Sequence, residues 1–118
     1  MSDIISISQQ IEAKIKEIDK VRSVLIERSD DRDNAEANYT KEYAMVLIGL
    51  KNSKEYELDG EKIKDPPAAS VKEIAKGICW LKKLEYDKAE SLLKIAFKNL
   101  EAVQSQLTAY QSINKHLD

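Results

Sequence analysis

The sequence predicts an all-α protein, a long antiparallel helical hairpin with a small β-hairpin-like tip, and three observations carry that expectation. Helix breakers are scarce: 118 residues hold only three Gly and two Pro, beside 42% hydrophobic and 34% charged residues. Average chains hold roughly 7% Gly, 5% Pro and 25% charge. Two stretches repeat apolar residues at steps of three and four, the spacing that lines one helical face. All the strong turn signals fall between them, near the middle of the chain.

The expected organisation is one helical domain over 1–118, with helix one at about 3–52, the tip at about 53–69 and helix two at about 70–117. Helix one is announced by Ile4, Ile7, Ile11, Ile15, Ile18, Val21 and Leu25. The apolar signal then stops, because Glu27 to Asn34 (ERSDDRDN) has no apolar residue, and returns with Ala35, Tyr39, Tyr43, Val46, Leu47 and Leu50. Either the helix breaks at Ser29–Asp33 or it continues with a polar inner layer. The absence of Gly and Pro there favours continuity.

The tip, EYELDGEKIK at 55–64, is centred on Asp59-Gly60, a pair suited to a two-residue hairpin turn because Gly accepts a positive φ. Tyr56, Leu58 and Ile63 would form its apolar face. Pro66-Pro67 ends the ladder, and Ser70-Val71-Lys72-Glu73 has the form of a capping box opening helix two. Helix two carries a heptad seam through Ala89, Leu93, Ala96, Leu100, Val103, Leu107, Tyr110, Asn114 and Leu117.

Folding the chain at residue 61 pairs positions whose numbers sum to about 122, so that Arg32 meets Glu90. Arg28 and Arg32 with Asp87 and Glu90 are then expected either as a polar layer that fixes register or as ordinary solvated charges around a kink. Helix two also has more apolar surface than one neighbour covers, since Leu92, Ile95, Phe97 and Ile113 flank the seam. A homo-oligomer, dimer or higher, is therefore expected, with Leu93, Leu100, Val103, Leu107 and Tyr110 as its seam.

Catalytic chemistry has little to work with. The chain has one His and one Cys, His116 and Cys79, too few for a zinc site of usual composition or an intrachain disulfide. Asp30, Asp31 and Asp33 lack the Gly and closing Glu of a calcium loop. No phosphate-cradling Gly loop or serine elbow is present. The expectation is a protein without enzymatic activity, cofactor or metal.

The longest apolar run, Ala44 to Leu50, is far short of the ~20 residues of a membrane span, and the N-terminus lacks a signal-peptide pattern. No membrane association and a cytoplasmic location are expected. The net charge of −2 gives no general attraction to nucleic acid. A nucleic-acid role would fall to Lys51, Lys54, Lys62, Lys64, Lys72 and Lys76 at the tip, where Glu55, Glu57, Asp59, Glu61 and Asp65 largely cancel the field.

One binding constellation remains. Gly77 inside a helix either admits a close neighbour or leaves room for a ligand, and Trp80 falls off the Val71–Ile74–Ile78–Leu81 stripe. The hairpin brings Tyr39 and Tyr43 to the same level, near Lys76, Lys83 and Tyr86. Aromatics beside lysines suit a nucleotide ligand, but such a set is more often a contact with a second subunit or a protein partner.

The segment LDGEKIKDPPAASVKEIAKGICW, with the closing QSINKHLD, resembles small helical proteins of phages and prophages of Gram-positive bacteria. The resemblance covers residues 56–118 best. It implies an accessory protein that inhibits or recruits a host protein, as in counter-defence, or that assists phage recombination, in the host cytoplasm. It carries over no functional residues.

Overall fold

The computed structural model describes residues 2–117. The described elements are α1 (Ser2–Lys51), β1 (Tyr56–Leu58), β2 (Glu61–Ile63), a 3-10 turn (Ala68–Ser70), α2 (Val71–Ile78) and α3 (Trp80–Leu117). The fold is the expected helical hairpin with a two-stranded antiparallel sheet at its turn. The described residues gather into two compact units, one of those up to residue 30 with those from 91 onward, the other of residues 31–90.

Helix α1 runs unbroken through the polar stretch 27–34. Buried and half-buried positions explain how: Ile18, Val21, Leu25, Arg28, Arg32, Ala35, Tyr39, Glu42 and Val46 keep a strict 3-4 alternation. Polar side chains occupy the inner face where the apolar ones give out. One expected apolar position is corrected. Ile15 is 48% exposed, because the alternation passes from Ile11 to Ile18 through Lys14. The Lys14 amine lies 2.7 Å from Gln106 Oε1 on α3 and 3.0 Å from Glu17.

In the first unit Ile18, Ala96 and Val103 are buried. Leu93, Leu100, Leu107 and Tyr110 are half-buried, so the heptad seam of helix two is folded against α1 of the same chain. Antiparallel pairing within the hairpin uses this seam, and buries Val103 outright. The flanking Leu92, Ile95, Phe97 and Ile113 stay 42–53% exposed.

The second unit holds the better core, with Val46, Leu50, Val71, Ala75 and Cys79 all buried. Tyr56 and Ile63 of the tip pack against it. The tip has the expected register, Tyr56 opposite Ile63 and Leu58 opposite Glu61. Asp59 (φ 50°) and Gly60 (φ 81°) both take positive φ, as a type I′ turn requires.

Helix α1 stops in a Schellman motif. Lys54 N–H donates to the Gly49 carbonyl (2.9 Å) and Ser53 N–H to Leu50 (3.3 Å), with Ser53 at φ 61°. Tyr56 then folds back onto Gly49, where a Cβ would collide with its hydroxyl and stand 3.0 and 3.1 Å from ring carbons.

Two expectations for helix two are corrected. Ser70 makes no side-chain cap, because its backbone (φ −102°, ψ −8°) continues the 3-10 turn and is not extended as in an N-cap, and its N–H, which in a capping box would donate to the Glu73 side chain, donates to the Pro67 carbonyl (2.8 Å). Nor is the helix continuous, since it is interrupted at Cys79 (φ −88°, ψ 18°). The inner face shifts there from Val71 and Ala75 to Cys79, Lys82 and Tyr86, which turns Leu81 outward at 51% exposure.

Candidate functional site

Within residues 31–90 four of the expected binding residues converge. The Tyr39 and Tyr43 rings lie 6.1 Å apart, and Tyr39 stacks on Tyr86 with centroids at 6.4 Å and planes at 30°. Lys83 Nζ sits 5.6 Å from the Tyr39 ring and 5.0 Å from that of Tyr86, a favourable cation–π arrangement. The sequence placed these residues on one level because α1 and α3 pair in antiparallel register.

The other three do not join them. Trp80 is 55% exposed, Lys76 pairs with Glu73 at 3.5 Å, and Gly77 lies under the tip, 3.5 Å being the distance a Cβ there would keep from Leu58 Cδ2. That is ordinary van der Waals contact, so Gly77 neither admits a close backbone nor borders a ligand space. Gly77→Ala is expected to raise stability by about 0.5 kcal/mol, through the lower backbone entropy of Ala in the unfolded chain. Equilibrium denaturation checks the sign.

Arg32, expected only in a register layer, belongs to the tyrosine cluster. Its guanidinium donates to Tyr86 Oη at 3.0 Å and lies 5.4 Å from the Tyr86 ring. It also pairs with Glu36 and with Asp33. The hydrogen bond to Asp33 raises its pKa above the ordinary arginine value, and the charges of Glu36, Tyr86 and Glu90 act in the same direction.

The register layer is corrected at Asp87, which bonds Lys83 at 3.1 Å, one helical turn away on its own helix. That bond raises the Lys83 pKa, with Tyr39 and Tyr86 adding to it. Glu90 and Arg28 are half-buried.

Two features on another side of this unit were not foreseen. Asn38, Lys41, Glu42, Met45 and Lys82 line a shallow cavity of about 280 Å³. Glu42 Oε2 is buried with no hydrogen-bond partner in the structure. Buried polar atoms are nearly always paired, so an orphan acceptor marks a place where something else can donate. In the same unit Met45, which borders this cavity, and Ile48 are each 61% exposed, and Trp80, Leu81 and Leu84 are 55, 51 and 41% exposed. The sequence carries no signal for this, since its spacing keeps Leu81 on the inner stripe, and Leu81 turns outward just after the interruption at Cys79.

Cys79 is 1% exposed. Burial raises its thiol pKa, and Glu42 adds to the shift. A thiolate is therefore disfavoured in the folded state. The resulting stability is complete below the ordinary thiol pKa, about 8.5, and declines as pH rises through the folded value. Thiol alkylation at pH 8 is expected to be slow in the native protein and fast in denaturant. Equal rates would place Cys79 at the surface.

Among the described residues no group of three or more His, Cys, Asp or Glu could hold a metal ion. No described helix is long and apolar enough to cross a membrane. At the tip, Lys62 lies 3.8 Å from Glu55 and Lys54 Nζ sits 5.1 Å from the Tyr56 ring. Compared with known proteins, the chain matches no family model, no curated protein and no solved structure.

Proposed function

We propose that this chain is a non-enzymatic binding protein of phage accessory type, which inhibits or recruits a host protein by holding it stoichiometrically. The observation that carries the reading is a set of exposed apolar residues in the unit that holds the unpartnered Glu42 oxygen: Met45 and Ile48 one turn apart on α1, Leu81 and Leu84 one turn apart on α3, and Trp80 one turn before Leu84, each 41–61% exposed. Exposed large apolar side chains, with a Trp among them, are the composition of interface anchors. A partner's N–H or O–H reaching Glu42 would relieve the orphan acceptor. The phage context rests on the resemblance of residues 56–118.

A protein partner is preferred to a nucleotide because Arg32 and Lys83 already hold carboxylates and stack on tyrosines. It is preferred to nucleic acid because the tip lysines alternate with acidic residues.

Affinity capture from lysate of a Gram-positive host tests the reading, with Leu81→Lys run beside the wild type. Leu81 is half exposed, so the variant should melt like the parent. A specific protein recovered in near-equimolar amount by the wild type, and at least tenfold less by Leu81→Lys, is the expected result. Recovery unchanged by Leu81→Lys and by Met45→Lys would remove these residues from the function.

A further inference from the structure

Helix α3 carries a second 3-4 repeat, displaced by one residue from the seam that packs on α1. Its positions are 92, 95, 99, 102, 106, 109 and 113, all within the first of the two units. One residue of displacement is a rotation of about 100° around the helix. The second repeat therefore runs as a separate ridge, and every member of it is exposed. It holds no charge, in a chain where 34% of residues are charged. Residues 102–114 are uncharged without exception. A helix needs one such ridge per neighbour, and α1 reaches this one only at its edge, where Lys14 meets Gln106 and where Ile113 borders Asp3, Ser6 and Ile7.

The order of residues along this ridge says what covers it. Read from either end, it runs two apolar residues, an amide, an alanine, an amide and two apolar residues, with a second alanine in one of the end pairs: Leu92 and Ile95, then Asn99, Ala102 and Gln106, then Ala109 and Ile113. We infer that the ridge is the two-fold interface of a homodimer, α3 packed antiparallel on α3 of a second copy.

About an axis at Ala102, Leu92 faces Ile113, Ile95 faces Ala109 and Asn99 faces Gln106, each pair summing to 204 or 205. Apolar groups meet apolar groups, and the amides meet one another. A two-fold interface sets a patch against itself, so a charge near the axis would meet its like. This ridge has none. Of the positions one step further round, Ser91, Lys94, Lys98, Glu101, Ser105, Thr108 and Ser112, Lys98 stands opposite Ser105 and Lys94 opposite Thr108, while Glu101, nearest the axis, is turned about 100° away from it. Ala102 on the axis allows close approach. Gln106 Oε1 already accepts from Lys14 at 2.7 Å, which leaves its amide N–H groups to donate to Asn99 of the second copy.

The surface is distinct from the exposed apolar residues of the 31–90 unit, so its test is independent of the proposed function. Sedimentation of the purified full-length chain at ~50 µM should give a dimer, and Ala102→Glu should give a monomer, a weakening of about 100-fold or more. Ala102 is exposed, so the variant should keep its helical circular dichroism.

Ala102→Cys should form an intermolecular disulfide on mild oxidation, since only a residue on the axis meets itself within disulfide reach. Ile95→Cys should form one with Ala109→Cys in a mixture, and little with itself. Glu101→Cys, one position round the helix, should remain uncrosslinked. A wild-type monomer at ~200 µM, a dimer that survives Ala102→Glu, or crosslinking as ready at Glu101→Cys as at Ala102→Cys would each overturn the assignment.

Discussion

Leu50→Ala is expected to lower stability by about 2–5 kcal/mol, the largest single effect in the chain. Leu50 is 2% exposed and meets Val46, Val71, Ala75 and Cys79 in the core of residues 31–90. Its neighbours are themselves small, and the Schellman motif fixes the backbone on its C-terminal side. The void left by truncation therefore has little to collapse into it. The comparison variant is Leu81→Ala, half exposed, for which a change within about 0.5 kcal/mol is expected. Equal losses in urea titrations would mean that the core lies elsewhere.

Gly49→Ala is expected to reverse the usual sign of that substitution. In an exposed helix it would gain about 1 kcal/mol. Here the new methyl group meets the Tyr56 hydroxyl, with ring carbons at 3.0 and 3.1 Å. Tyr56 is held by its pairing with Ile63 and by packing on the core, so the ring cannot yield without lifting the tip. Overpacking of this kind costs about 1–3 kcal/mol. Tyr56→Phe removes the nearest colliding atom and should recover part of the loss, giving a coupling between the two positions in a double-mutant cycle. A Gly49→Ala protein as stable as the parent would show that the tip is not docked there.

Periodicity and turn chemistry made the hairpin legible. The Asp59-Gly60 turn and the seam from Ala89 to Asn114 depend on local sequence alone, and both stand in the structure. What escaped depends on contacts distant in sequence. Gly49 is silent in the sequence, because its need arises only when Tyr56 folds over it. The interruption at Cys79 follows no proline, yet it decides which residues of α3 face outward. Lys14 replaces Ile15 on the inner face because a fixed 3-4 alternation outranks the hydrophobicity of one residue. The tyrosine cluster was half legible: register brought Tyr39, Tyr43, Lys83 and Tyr86 together, while Arg32 joined them through a hydrogen bond that composition cannot announce. The Glu42 acceptor could not be foreseen, since nothing in a sequence marks an unpaired atom.

The antiparallel register also sets a schedule for folding. Arg32 and Tyr86 are 54 residues apart, and Lys14 and Gln106 are 92 apart. Closing the longer loop first costs more entropy, whereas closing it after the tip has formed costs little. Folding should therefore nucleate around the Asp59-Gly60 turn and zip toward the termini. Stopped-flow measurements are expected to show Leu50→Ala chiefly slowing refolding, with φ above about 0.5, and Val103→Ala chiefly accelerating unfolding, with φ near zero. The terminal ends of both helices would then be the last to form and the first to open, so the ridge centred on Ala102 becomes available to a second copy only when the hairpin is complete.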